Sequence, residues 1–196
     1  MNSTGFLEII LGPMFGGKTT QLINRYNEIT DNLNSHSYST IQPDVFTINY
    51  DKDTRYSTNQ IVSHDGKTLD CNFIHELEDI DRNPKLLSKL NNSKFIFIDE
   101  AQFFKNLKNW VLYQLDHNNK HIILCGLDSD FKREKFGEIL DLIPHSNKIT
   151  KLTGTCSKCY NSSIYTHRIS NEIEQEIIGN DKYIPVCRKC YNDLNK

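Results

Sequence analysis

Residues 12–20 read Gly-Pro-Met-Phe-Gly-Gly-Lys-Thr-Thr. The first eight fit G-x-x-x-x-G-K-[ST], the spacing with which a turn of backbone N–H groups cradles the phosphates of a nucleotide. Glycines let the backbone approach closely, Lys18 belongs beside the β- and γ-phosphates, and the Thr19 hydroxyl belongs on Mg²⁺. FLEIIL, residues 6–11, is a short apolar run ending at this turn. TTQLINRYNEI beyond it places Leu22, Ile23, Tyr26 and Ile29 at helical spacing. Strand, phosphate loop and helix are therefore expected in succession.

Working outward, DNLNSHSYSTIQPD (31–44) is polar and turn-rich and reads as a loop, VFTINY (45–50) as a strand, and DKDTRYSTNQ (51–60) as another loop. KFIFIDE (94–100) sets four apolar residues before two carboxylates, the pattern of a buried parallel strand delivering acids to its C-terminal edge. LKNWVLYQL then reads as a helix, HIILCGL (121–127) as a third buried strand and KITKLTG (148–154) as a fourth. Such alternation predicts an α/β fold, a parallel sheet covered by helices on both faces.

A chain of 196 residues supports one substantial core and a small satellite. Composition shifts near residue 155 to cysteines, polar residues and short β-like pieces, so the expected division is a nucleotide-binding domain over 1–154 and a small subdomain over 155–196. With 23 basic against 25 acidic side chains and no basic run, no global field draws the protein onto nucleic acid. No stretch approaches the roughly 18 to 20 apolar residues of a membrane span, and MNSTGFLEII at the N-terminus shows no cationic segment followed by a long apolar run. A soluble, cytoplasmic protein is expected.

Asp99 and Glu100 close their strand 80 residues beyond Thr19, where phosphate-loop proteins place an acid near the metal. Asp99 is the metal-side candidate. Glu100 is the general-base candidate, taking a proton from a water in an ATPase or from a substrate hydroxyl in a kinase. Two solvated acids at a strand edge are the plain alternative. Cys156-Ser-Lys-Cys159 and Cys187-Arg-Lys-Cys190 are C-x₂-C pairs separated by 27 residues. Two thiolates from each complete a tetrahedral S₄ shell with no open position, which points to structural Zn²⁺. Cys71 and Cys125 lack such a partner, and Cys125 reads as a core residue. His64-Asp65 has the make-up of a catalytic pair, but with no nucleophile nearby it reads as a solvated loop. Phe103, Phe104, Phe131 and Phe136 remain open between core packing and stacking on a base.

Taken together, LGPMFGGKTT, DKDTRYS, FIDEAQFF, GLDSDFKREKFG, YTHR, DKYIPVC and the two cysteine pairs resemble, in order and over nearly the whole chain, the cytosolic zinc-containing (type II) thymidine kinases. The resemblance implies a RecA-like P-loop domain joined to a zinc-held lasso, transfer of the γ-phosphoryl of ATP to the 5′-hydroxyl of thymidine, a homotetramer, and feedback by dTTP. Carried over by match, Gly12, Pro13, Met14, Phe15, Gly16, Gly17, Lys18 and Thr19 bind the ATP phosphates. Asp53, Arg55, Asp99 and Gln102 complete the ATP and Mg²⁺ site, and Glu100 is the catalytic base. Phe103, Phe131 and Tyr183 surround the base and sugar, while Met14, Leu127 and Thr166 line the pocket of the thymine methyl. The backbone of Gln175, Glu176, Ile177, Ile178 and Gly179 reads the pyrimidine edge.

The sequence departs from the family pattern in places. The stretch before VFTINY (32–44) is long and suggests a surface insertion, Asp130 stands where many relatives have an uncharged residue, and IIGNDKY is one residue short of the usual lasso turn. The sequence runs only to Lys196, shortly after Cys190, so the regulatory tail of longer relatives is expected to be missing. The competing reading is a zinc-bearing P-loop ATPase acting on nucleic acid, with Glu100 activating water. Against it, 155–196 lacks a Lys/Arg stripe, and 196 residues leave no room for a second RecA-like domain.

Overall fold

The structure, a computed structural model, describes residues 4–36, 45–52, 59–177, 179 and 181–196. Asp53, Arg55 and Ile178, together with most of the loop expected over 31–44, lie outside the described residues.

In chain order the first half runs β1 (Phe6–Gly12), α1 (Lys18–His36), β2 (Val45–Tyr50), β3 (Gln60–Val62), β4 (Thr68–Asp70), β5 (Asn72–Ile74), α2 (Asp79–Arg82) and α3 (Pro84–Asn92). There follow β6 (Phe95–Ile98), a 3₁₀ turn (Ala101–Phe103), α4 (Leu107–Asp116), β7 (His121–Leu127), a second 3₁₀ segment (Ile139–His145) and β8 (Lys148–Lys151). The C-terminal part holds β9 (Gly154–Thr155), β10 (Ser162–Ser163), β11 (Tyr165–Arg168), β12 (Tyr183–Val186) and α5 (Arg188–Leu194).

Six strands form one sheet in the order β5-β2-β6-β7-β1-β8, with every neighbouring pair parallel. Alternation along each strand divides the core into two layers. Leu7, Ile9 and Leu11 of β1, Ile96 and Ile98 of β6, and Ile122 and Leu124 of β7 face α4 with its Trp110 and Val111. Ile10, Phe97, Ile123 and Cys125 face Leu22, Ile23 and Ile29 of α1. Near-continuous apolar runs are what strands buried on both faces require, so the parallel α/β expectation holds. Cys125 is fully buried among apolar neighbours, as read from its strand.

Three differences from the expectation have physical causes. Helix α1 runs on to His36, through residues read as loop, because Leu33 extends the stripe of Ile29 onto the same core layer. Sheet pairing adds one strand to the five expected, β2's outer neighbour β5, whose three residues are too few to show a period. The hairpin β3–β4 starts at Gln60, the last residue of the stretch read as loop, and was not expected, again in strands of three residues. Helix α3 starts where the Asn83 side chain accepts from the Lys85 and Leu86 N–H groups, with Pro84 in its first turn.

Beyond residue 153 the chain builds two small antiparallel pairs, β9–β10 and β11–β12, around Cys156, Val186 and Tyr191. Among the described residues no helix is long and apolar enough to cross a membrane.

Candidate active site

Strand β1 delivers the phosphate loop to the C-terminal edge of the sheet. Gly12 packs against the β8 exit so closely that a Cβ would sit 2.8 Å from the Leu152 carbonyl oxygen. The turn passes through left-handed backbone at Phe15 (φ 60°) and Gly17 (φ 77°) and enters α1 at Lys18. Gly16 N–H and the Lys18 ammonium both donate to the Pro13 carbonyl, at 3.2 and 2.9 Å. A helix N-terminus under such a turn is a ready anion site. Met14 N–H donates to the Thr166 hydroxyl of β11 at 2.9 Å, tying the loop to the C-terminal part.

The two acids reach this loop from β6. Thr19 Oγ1 donates to Asp99 Oδ2 at 3.0 Å, and Glu100 N–H donates to Asp99 Oδ1 at 3.0 Å. Asp99 is 3% exposed. Burial, reinforced by the neighbouring Glu100 charge, pushes its carboxyl up to about 6. Glu100 adopts left-handed backbone (φ 51°, ψ 38°), a conformation non-glycine residues hold only when surroundings enforce it. That turn lets consecutive acids line one cavity with Lys18 and Thr19, instead of opposite faces of the sheet. Gln102, buried behind, donates Nε2 to Glu100 Oε2 and accepts the Leu127 N–H on Oε1 at 2.9 Å. The absent side chain of Gly126 makes room, since a Cβ there would lie 2.6 Å from Gln102 Oε1.

The same cavity continues from the phosphate loop into an aromatic slot. Met14, Phe103, Leu127, Phe131, Thr166 and Tyr183 wall it, as do Gln175, Ile177 and Gly179. Phe103 is stacked on Tyr50 at 5.0 Å and meets Phe136 edge-on at 5.3 Å. Of the four phenylalanines left open, Phe103, Phe131 and Phe136 line the slot, whereas Phe104 belongs to the main core. Glu176 does not line it, and instead accepts from the Tyr50 hydroxyl at 3.4 Å. Gly12, Pro13 and Gln102 lie behind the lining.

Other residues of the site were not assigned to it by the sequence. Gln60, Ile61, Val62 and His64 of the β3–β4 hairpin line the cavity over the phosphate loop. The hairpin is fastened to α1 by Thr20 to Asp65 (2.8 Å) and Lys67 to Asn24 (2.7 Å). Arg168 is buried and spends its guanidinium on the carbonyls of Glu172, Glu174 and Gln175 and on the Tyr183 hydroxyl. The YTHR motif places it, but no spacing announces a clamp for backbone four to seven residues away.

At the far end of β11–β12 the Sγ atoms of Cys156, Cys159, Cys187 and Cys190 lie within 4.8 Å of one another. A tetrahedral Zn–S shell of about 2.3 Å bonds sets sulfurs about 3.8 Å apart, and Cys159 and Cys187 are already at 3.6 Å. Burial disfavours the Cys156 thiolate, but N–H groups of Cys187, Lys158 and Cys159 outweigh it and bring the thiol down to about 6. The Cys187 thiol is lowered too, chiefly by the Cys190 N–H, and four clustered thiols, two of them primed to ionise, fit zinc.

A phosphate cradle that opens directly into an aromatic slot, with a carboxylate at the junction, is the architecture of a P-loop phosphotransferase with a small planar acceptor. The thymidine kinase family model matches residues 5–191, and the chain belongs to that family. It is 38% identical to the thymidine kinase of Yaba monkey tumor virus (strain VR587), over all of this chain and 99% of that protein. It is 37% identical to a thymidine kinase of Oryza sativa subsp. japonica, over 96% of this chain and 67% of the relative, and 35% identical to the cytosolic thymidine kinase of Gallus gallus, over 95% and 77%.

Proposed function

We infer that the chain phosphorylates thymidine, passing the γ-phosphoryl of ATP to the 5′-hydroxyl to give dTMP. The observation that carries this is the position of Glu100 between the phosphate loop and the slot of Phe103 and Leu127. Family membership supports it, and nothing favours an ATPase acting on nucleic acid.

In the proposed mechanism residues 12–19 hold the ATP phosphates through backbone N–H groups, with Lys18 released from Pro13 to the β- and γ-phosphates. The Thr19 hydroxyl and Asp99 would hold Mg²⁺, which supplies charge neutralisation between the phosphates. Glu100, aimed by Gln102, accepts the proton of the attacking 5′-hydroxyl. Phe103, Phe131 and Tyr183 enclose base and sugar, Met14, Leu127 and Thr166 take the methyl, and backbone of 175–179 reads the pyrimidine edge. Asp53 and Arg55 complete the nucleotide site. The four cysteines hold structural Zn²⁺ and so keep β11 and β12 in register below the slot. The division into 1–154 and 155–196, a homotetramer, feedback by dTTP and a cytoplasmic location belong to the same proposal.

The test is product formation from γ-labelled ATP and Mg²⁺ with thymidine, deoxycytidine or no acceptor. Label on thymidine alone is expected. Label released only as free phosphate, whatever the nucleoside, would make this an ATPase.

A further inference from the structure

The segment 172–177 between β11 and β12 passes over the slot and is held from two sides. From beneath, Arg168 donates to the carbonyls of Glu172 and Gln175 at 3.0 and 3.1 Å, while its guanidinium lies 3.7 Å from the centre of the Phe131 ring. From the side, Gln175 Nε2 donates to Asp130 Oδ2 at 2.7 Å and to the Lys135 carbonyl at 3.2 Å. Asp130 is 6% exposed. Its Oδ1 accepts from the N–H groups of Lys132 and Glu134 at 2.8 and 2.9 Å, so one oxygen shapes the 130–134 turn and the other reaches the strap. The turn also carries Phe131, whose carbonyl accepts from the Tyr191 hydroxyl of α5 at 2.7 Å. A single carboxylate therefore joins the wall of the slot to its cover.

We propose that the Asp130 carboxylate and the Gln175 amide form a latch that holds the 172–177 strap shut over the nucleoside, making both of them positioning residues for nucleoside binding. The proposal rests on the thymidine reading. Backbone groups read a base edge only when held in place. An unlatched strap must be ordered anew by each bound nucleoside, which weakens binding. ATP phosphates sit on the opposite arm of the cavity, on the loop before α1, and do not depend on the strap.

The experiment is a double-mutant cycle on the full zinc-loaded chain, measuring kcat and the KM of thymidine and of ATP for wild type, Asp130→Ala, Gln175→Ala and the double variant. Each single substitution removes the Asp130–Gln175 hydrogen bond, Asp130→Ala also losing the two turn bonds and Gln175→Ala the bond to the Lys135 carbonyl, and is expected to raise the thymidine KM about tenfold, with a smaller change in kcat and in the ATP KM. The double variant is expected to be no worse than the worse single. Multiplying penalties, or an equal rise in the ATP KM, would overturn the latch. Asp130→Asn keeps an oxygen for the turn and an amide that pairs with a flipped Gln175, so most of the thymidine affinity should return. If Asp130→Ala fails to fold, Gln175→Glu decides: facing a second carboxylate, it should weaken thymidine more than Gln175→Ala does, and equal values count against the latch. A wild type that leaves thymidine unphosphorylated would reject the parent reading, whereas an active wild type with an additive cycle rejects the latch alone.

Discussion

Gln102 ties Glu100 to the end of β7, its Nε2 lying 2.5 Å from Glu100 Oε2 while its Oε1 accepts from Leu127 N–H at 2.9 Å. The amide thus fixes the Glu100 carboxylate against the strand that walls the slot. Gln102→Leu leaves a buried N–H unpaired and the carboxylate unaimed. We expect a loss of about 1 to 3 kcal/mol in stability and a fall in kcat on the order of 10-fold to 100-fold, read by urea denaturation and steady-state kinetics. A variant with wild-type kcat would show that Glu100 does not need this support.

Glu100→Gln tests the proposed base. Nucleotide affinity should persist, because the phosphate loop is untouched, while phosphoryl transfer falls by about 10²-fold or more. Titration of ATP binding beside a single-turnover assay separates the two. Full activity in the variant would remove Glu100 from its role.

Asp99 makes the nucleotide-free protein sensitive to pH. Its carboxyl rises from 3.8 to about 6 on folding, through burial first and the Glu100 charge second. Folding therefore favours the protonated form: the contribution is fully present below pH 3.8 and is lost as pH rises through 6. Ionisation costs about 3 kcal/mol of stability over that window. Asp99→Asn should flatten the pH dependence of denaturation between those values by that amount. An unchanged slope would mean another group is responsible.

Zinc removal should act on the nucleoside side. Metal analysis should find about one zinc per chain in the wild type and loss of metal in Cys156→Ser, with a larger rise in the thymidine KM than in the ATP KM, since β11 and β12 carry Thr166 and Tyr183 into the slot. Unchanged metal content in the variant would contradict the four-thiolate site.

Gly137 has φ 62°, and a Cβ there would lie 2.1 Å from the Gln102 carbonyl oxygen. Gly137→Ala must push away the 3₁₀ turn that follows Glu100. We expect a destabilisation above about 2 kcal/mol together with reduced kcat. A melting temperature equal to wild type would place this turn elsewhere.

Much of the site was legible because its residues are contiguous. The phosphate loop, Asp99-Glu100 and the cysteine pairs each carry their chemistry within a few positions, and the buried strands around them show apolar runs that nothing else explains. Short strands escaped: β3, β4 and β5 have three residues each, too few for a period. Helix α1 outran its expected end because Leu33 found a core layer that polar neighbours conceal.

By itself the sequence determined the fold class, the phosphate cradle, the acid pair and the cysteine quartet, since each is encoded in local spacing. Only the tertiary structure decided that Gln102 braces Glu100, that Phe104 is core while Phe136 lines the slot, and that Arg168 and Asp130 hold the strap. These relations join side chains and backbone from separate strands and loops, and their partners become neighbours only once the parallel sheet brings its strand ends to one edge.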